Sequence, residues 1–313
     1  MKNYSFANNL FKSSNVIESM TPCFLIAKIL GQSPYQINKN YKIKFSYLGS
    51  TLSFIFFISI IILFYIYFPD TQTKKQMNQL VSILDYVAIR SLTVLFFIAH
   101  IFHSKNYFKI LKKLLKIDNS FKLINIQINY QNFKKSMILQ QIFALLFMIW
   151  INAVSRYISY ILGRDYPFIL FYERIWVESS RICILLTSRA ISNLLKKRFQ
   201  MINDELNKIK NLSAEKICNL KKLHYDLSNI CEIFNEIESL SVLTLFGFIF
   251  LMIIFNVYYF YSNWYNNADQ ILIRFLQMAL IVSKVIFCGI LSVPHFVKLA
   301  KEVYILINNF IYL

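Results

Sequence analysis

Three ionisable side chains recur at helical spacing inside a stretch otherwise rich in apolar residues. Arg174, Glu178 and Arg181 are separated by four and then three positions, so a helix places them on one face where they can pair. One interpretation is an internal ion-pair ladder, which lowers the cost of burying these charges in an apolar medium. The other is that this face lines a hydrated ligand cavity with Glu173 near its mouth. The sequence leaves both open.

Other apolar stretches also contain polar and aromatic side chains at a similar predicted depth. If these stretches cross a membrane, Arg90, Arg156 and Arg274 fall in its outer half, where converging cations favour a water-filled pocket. Aromatic rings could form the walls of such a pocket, although Tyr and Trp near a bilayer surface are also common interfacial anchors. The ligand-pocket candidates are Tyr86, Arg90, Arg156, Tyr157, Tyr172, Glu173, Trp176 and Arg274.

Catalytic and metal-binding chemistry has little support in the sequence. The closest histidine pair, His100 and His103, has no carboxylate or cysteine beside it, and the five cysteines lack zinc-site spacing. The motifs G-x-S-x-G, H-E-x-x-H and the P-loop are absent from the sequence. We therefore expect no enzyme activity, no cofactor and no metal site.

The composition defines the elements that must position these residues. The 313-residue chain is 57% hydrophobic and only 16% charged, with five Gly and five Pro, which favours long helices in a membrane. About 20 apolar residues are needed to cross a bilayer. The six predicted spans, S1 to S6, are residues 45–68, 80–103, 137–162, 167–191, 240–262 and 270–293.

The distribution of positive charge predicts the orientation. Although the net charge is +18, 24 of the 34 Lys and Arg side chains fall in the segments on one side of the predicted spans and three on the other. The positive-inside rule therefore predicts a cytoplasmic N-terminus. Because the charge lies between apolar blocks, we expect a lipid bilayer and not nucleic acid as the partner.

The fold expected is an all-α integral membrane protein, a polytopic helical bundle with long cytosolic helical extensions between S4 and S5. Its predicted segments are a cytoplasmic N-terminal segment (1–44), S1 to S4 with a cytosolic S2–S3 helix (45–193), a cytosolic helical extension (194–239), S5 and S6 (240–293) and a cytosolic C-terminal segment (294–313).

Both large inner loops have helical periodicity. Residues 105–118 predict an amphipathic helix, interpreted as lying on or just under an anionic inner leaflet. Residues 194–238 contain no Gly or Pro and predict two helices that meet near Asn211. Their apolar stripes need cover, most simply from each other and from neighbouring subunits.

Three stretches are similar to a known family. They are HSKNYFKILKKLLKIDNSF (103–121), a basic helix ending in Ile-Asp; LLKKRFQMINDELNKI (194–209), with its Arg-Phe; and residues 216–250, which enter S5. Cys288 lies near the end of S6, and the LAKE segment (299–302) follows S6. In order and spacing they resemble the insect gustatory and odorant receptor superfamily, whose members are seven-helix chemosensory receptors with an intracellular N-terminus.

The chain departs from this family at its end. The family's signature, Thr-Tyr, five apolar residues and Gln-Phe in a pore-lining seventh helix, is not found before Leu313. A truncated gene model or a missing terminal exon is the favoured explanation over a genuine six-helix product.

The resemblance implies a gustatory-type receptor of the plasma membrane, a ligand-gated cation channel subunit that detects a small-molecule tastant. It also implies a homo- or hetero-tetramer with related receptors. Two alternatives remain: a secondary transporter, in which the intramembrane charges serve an ion relay, and a non-conducting accessory subunit of receptor complexes.

Overall fold

The computed structural model describes residues 13–37, 43–66, 76–124, 126–161, 168–207, 214–264 and 271–311. Helices dominate these residues. They are α1 Val16–Ile29, α2 Tyr47–Ile66, α3 Gln76–Leu123, α4 Tyr130–Ile161, α5 Phe168–Asn207, α6 Ala214–Trp264 and α7 Ile271–Ile311. Two short strands, β1 Tyr35–Ile37 and β2 Ile43–Phe45, pair antiparallel between α1 and α2, with Gln36 opposite Lys44.

Helix α1 begins at a capped end. The Asn15 side chain accepts a hydrogen bond from the Glu18 backbone N–H at 3.0 Å, satisfying a donor that the first turn leaves free. The Glu18 carboxylate in turn accepts from the Ser14 backbone N–H at 2.8 Å and from the Ser14 hydroxyl at 2.9 Å. The backbone contact to Ser14 is the main reason that the pKa of Glu18 is lowered.

The segment between α1 and α2 is held by close backbone contacts. Gly31 ends α1 with a φ of 74°, in the left-handed region that favours glycine. The Ser53 hydroxyl on α2 donates to the carbonyl oxygen of Gly31 and, at 2.8 Å, to that of Gly49. A Cβ atom at Gly49 would lie 2.5 Å from the Ser33 carbonyl oxygen, so only glycine fits there.

Five helices are longer than the predicted spans that they correspond to. Helix α3 has 48 residues and joins S2 to the predicted S2–S3 helix, while α4, α5, α6 and α7 have 32, 40, 51 and 41. A helix that continues past the bilayer keeps its backbone hydrogen-bonded at the border. Helix α7 runs through Pro294, which directly follows predicted span S6, and ends at Ile311.

The membrane-spanning character is clear for part of the bundle. Among the described residues, the helix segments Tyr130–Ile158 and Ala214–Phe255 are long and apolar enough to cross a membrane, judged by length and composition. The first lies in α4 and the second in α6. Six spans and a cytoplasmic N-terminus stay predictions.

The main core lies in the C-terminal halves of α3 and α5, the N-terminal half of α6, α1 and the start of α4. The apolar stripes predicted in residues 194–238 are buried there within one chain, so neighbouring subunits are not needed to cover them. Asn211, where the two helices were expected to meet, lies outside the described residues. Six of the most buried side chains of this core are Met20, Leu111, Phe121, Phe199, Leu206 and Leu227.

Residues 105–118 are helical as predicted, and their place on or just under the inner leaflet stays a prediction. The helix is present as part of α3, but its apolar face is covered by protein: Tyr107, Ile110 and Leu114 are each no more than 1% exposed. Helix α3 packs along α6 and touches α1. Protein, and not lipid, therefore satisfies the hydrophobic side of this helix.

Candidate functional site

A buried polar contact joins α4 and α5 at the level of the predicted ladder. The Asn152 side chain is 2% exposed and donates from Nδ2 to Glu178 Oε2 at 2.9 Å and to the Met148 carbonyl at 2.9 Å. Arg181, one turn beyond Glu178 on α5, is 8% exposed. This level therefore holds a partly buried carboxylate and a buried guanidinium, and Asn152 was not anticipated as a partner.

The predicted site residues divide into those that the structure describes and those that it does not. Arg156 and Trp176 are partly buried, on α4 and α5, whereas Tyr157 is 65% exposed on α4. Arg156 follows Asn152 by one helical turn, so it lies near the level of Glu178. The side chains outside the described part of the structure are those of Tyr86, Arg90, Tyr172, Glu173, Arg174 and Arg274.

A second polar site lies in the main core and was not predicted. Arg198 on α5 binds Asp118 on α3 with two hydrogen bonds, Nε to Oδ1 at 2.7 Å and Nη2 to Oδ2 at 2.6 Å. The Tyr130 hydroxyl donates to the same carboxylate, and Arg198 Nη1 donates to the Leu194 carbonyl at 2.6 Å. Arg198 and Asp118 are 1% and 2% exposed, so this is a fully buried, bidentate ion pair.

A third polar contact joins α3, α5 and α6, ten residues before Arg198 along α5. Glu238 on α6 is 3% exposed, and its Oε1 accepts hydrogen bonds from the Tyr107 hydroxyl and the Ser188 hydroxyl, each at 2.6 Å. Burial raises the pKa of Tyr107 well above its usual range, so its hydroxyl keeps the proton that it donates. The described partners of Glu238 are thus two hydroxyl groups and no cation.

The C-terminal half of α7 is fastened to α5 by one carboxylate. Glu302 Oε1 accepts from Gln200 Nε2 at 2.7 Å, and its Oε2 lies 3.5 Å from Asn203 Nδ2. Leu299, one turn earlier, is 8% exposed and belongs to the main core. Leu299 and Val303 of α7 therefore pack onto the main core beside this contact.

These contacts follow one helix, and we call them the α5 seam. It consists of Glu178, Ser188 and Arg198 with their partners on α4, α6 and α3. The three positions are ten residues apart, about 15 Å of helix axis each. Because α5 also packs on α1 and α7, a shift of this helix changes polar contacts to every long helix around it.

The sequence contained a signal for the missed residues. Asp118, Arg198 and Glu238 each fall on the apolar face of their helix: Asp118 follows Leu114 by four residues, and Arg198 follows Leu194 by four. A charge on an apolar face needs a partner. The separation of 80 residues between Asp118 and Arg198 gave no indication that they were each other's partner.

The described residues contain no cluster of side chains suited to binding a metal ion. No group of three His, Cys, Asp or Glu side chains in that part of the chain could hold a metal ion. The seam is a set of directional hydrogen bonds that join α5 to its neighbouring helices.

Long helices with buried charges on their inner faces, two of them containing segments apolar enough to span a bilayer, define a helical membrane protein. The family described as 7tm chemosensory receptor has a sequence model that matches residues 20–310. The chain therefore belongs to the 7tm chemosensory receptor family. No curated protein matched the chain.

Membership of this family makes the chain a multi-pass membrane protein with a chemoreceptor role. It confirms the resemblance seen in the sequence, and the match includes Asp118, Arg198 and Glu302. The family is one of receptors and not an enzyme class.

Proposed function

We propose that the chain is a gustatory-type receptor subunit of the plasma membrane, with a cytoplasmic N-terminus, that gates a cation channel when a small-molecule tastant binds. The family match over residues 20–310 is the observation that supports this most strongly. The predicted orientation adds to it: the loop charges predict a cytoplasmic N-terminus, which is the orientation of the receptors that the sequence resembles.

The proposed ligand region is the level of Arg156, Trp176 and Glu178. Support comes from the contact between the buried Asn152 side chain and the partly buried Glu178 carboxylate, since polar groups in a largely apolar site provide directional partners for a small polar ligand. The remaining candidates, Tyr86, Arg90, Tyr157, Tyr172, Glu173 and Arg274, belong to the same proposal. In this arrangement Glu178 exchanges part of its contact with Asn152 for the ligand.

The proposed coupling element is α5, which runs from this level to the main core. A ligand changes the equilibrium only by binding the open arrangement better than the closed one. A difference of about 5.5 kcal/mol would move the equilibrium from 1:99 to 99:1. The tetramer, formed with copies of this chain or with related receptors, is part of the proposal and would surround the pore.

The test is whole-cell recording with a panel of tastants, from cells that express the chain alone or with a seven-helix receptor of the family. Variants Arg156→Gln and Trp176→Ala should shift the half-maximal concentration at least tenfold, whereas Lys298→Gln, an exposed lysine on α7, should not. Ion-coupled uptake of a labelled compound without ligand-evoked current would overturn the proposal in favour of a transporter. Unchanged currents in both pocket variants would overturn the ligand region.

A further inference from the structure

Helix α3 has an exposed face made entirely of lysines. Within residues 105–118 every exposed position is lysine, and we call these five residues the lysine stripe: Lys105, Lys109, Lys112, Lys113 and Lys116. The rest of this segment is buried or partly buried against the protein. The stripe is therefore fixed in direction by the main core behind it.

The stripe lacks anionic partners within the described residues. Asp118, the acid of this segment, is buried and bound by Arg198. The contact shown for the stripe is from Lys109 Nζ to the neutral Asn106 Oδ1, at 3.1 Å. Consecutive lysines are one to four residues apart, and those three or four apart on a helix are about 5–6 Å apart at Cβ, so their like charges destabilise each other.

The position of the stripe is next to the predicted membrane surface. Lys105 follows the end of predicted span S2 by two residues, on the same continuous helix. Clusters of four to eight cations directly beside a span on its cytoplasmic side attract anionic lipids. The stripe extends about 16 Å along the helix axis from Lys105 to Lys116.

That length selects the kind of lipid. The field of a flat anionic surface decays over about 8 Å at physiological ionic strength, so phosphatidylserine acts mainly on Lys105 and Lys109. A headgroup that projects from the surface and carries several phosphates reaches the next turns as well. It would also remove the repulsion between Lys109, Lys112 and Lys113, which a singly charged headgroup does less well.

We propose that the lysine stripe binds an inner-leaflet lipid whose headgroup is a multiply phosphorylated inositol. The proposal rests on the orientation included in the proposed function, which puts the end of α3 in the cytosol. Binding there would tie the lipid to the Asp118–Arg198 contact, since Lys116 lies two residues from Asp118 on the same helix.

The test uses the full chain in neutral detergent and a fluorescent short-chain phosphatidylinositol bisphosphate, with binding followed by anisotropy. Changing all five stripe lysines to Gln should weaken binding about tenfold or more, because each lysine close to an anionic headgroup adds to the attraction. The matched control removes five exposed lysines on α4, α6 and α7 and should change affinity less than twofold. The control lysines are Lys135, Lys221, Lys222, Lys298 and Lys301.

Competitors identify the source of the phosphate. Short-chain phosphatidylserine and soluble inositol trisphosphate should each compete at least tenfold more weakly than the unlabelled inositol lipid. Equal competition by phosphatidylserine would refute the headgroup, and equal competition by inositol trisphosphate would refute a lipid. Equal loss of binding in the stripe and control variants would refute the site itself.

Two further measurements keep the outcome clear. Changing the five lysines to Arg preserves charge and should preserve binding, so loss of binding in a well-folded Arg variant would contradict an electrostatic site. Recording tastant-evoked current from the same proteins separates the two proposals. Lipid binding without any tastant response counts against the proposed receptor, whereas a tastant response without lipid binding counts against the stripe alone.

Discussion

The buried pair Arg198–Asp118 allows a quantitative test of the main core. Asp118→Asn keeps the shape of the side chain but removes the charge, leaving the guanidinium of Arg198 buried without compensation. Breaking a buried pair by removing one partner costs about 3–5 kcal/mol. Domains are typically stable by about 5–15 kcal/mol, so the variant should lose a large part of its stability.

A combined variant separates the pair from its surroundings. Asp118→Leu with Arg198→Met and Tyr130→Phe removes both charges and the hydroxyl that donates to the carboxylate. Because neither an uncompensated charge nor an unpaired donor remains, we expect it to be more stable than Asp118→Asn. The matched control is Glu205→Gln, which removes the more exposed pair with Lys216 and should cost less than about 1 kcal/mol.

The assay is denaturant unfolding in detergent, followed by the fluorescence of the three tryptophans. If Asp118→Asn yields no folded protein, the combined variant should still do so, and the comparison of yields replaces the free energy. The reasoning is refuted if Asp118→Asn lies within 1 kcal/mol of the wild type. It is equally refuted if the combined variant is no more stable than Asp118→Asn.

Three further changes test other parts of the account. Glu238→Gln should leave stability at pH 7 unchanged or higher, because the amide carbonyl oxygen still accepts hydrogen bonds from Tyr107 and Ser188 and no charge is buried. Glu238→Ala should lower stability by about 1–3 kcal/mol. Thermal unfolding of both variants checks this, and a clear loss of stability in the Gln variant would contradict it. Gly49→Ala should lower the melting temperature because the added Cβ would meet the Ser33 carbonyl oxygen. Gly247→Ala is the control and should not lower it, because a Cβ at Gly247 would have no neighbour within 4 Å among the described atoms. Equal effects would show that α2 does not pack as described. The pKa of Glu18 is lowered in the folded chain, so its carboxylate stabilises the fold above the usual pKa of a carboxyl group, and this contribution is lost as pH falls through the lowered pKa. Glu18→Gln should therefore unfold at a lower temperature than the wild type at pH 7 and at about the same temperature near pH 3. A difference that persists at pH 3 would exclude this linkage.

Periodicity predicted the helices well because an amphipathic pattern reports burial of one face. Residues 105–118, 194–207 and 214–238 are helical as expected, with most of their apolar positions inside. The same pattern does not report what covers the face, since lipid and protein are equally apolar partners. For this reason the pattern in residues 105–118 was interpreted as a helix at the inner leaflet and did not indicate that α3 packs on α6.

The polar contacts were harder to predict for a different reason. Asp118, Arg198 and Glu238 can be recognised as charges on apolar faces, but their pairing depends on how α3, α5 and α6 pack. The ladder was predicted within α5, where spacing alone suffices, whereas the contact of Glu178 with Asn152 on α4 was not anticipated. Contacts between helices distant in sequence leave no mark in local spacing.

The most direct test of the account is current recorded from cells that express this chain, alone and with a seven-helix receptor of its family, while tastants are applied outside. The account predicts a saturable cation current that Arg156→Gln and Trp176→Ala shift to higher ligand concentration and that Lys298→Gln leaves unchanged. Ion-coupled accumulation of a compound, with no ligand-evoked current in either condition, would contradict it.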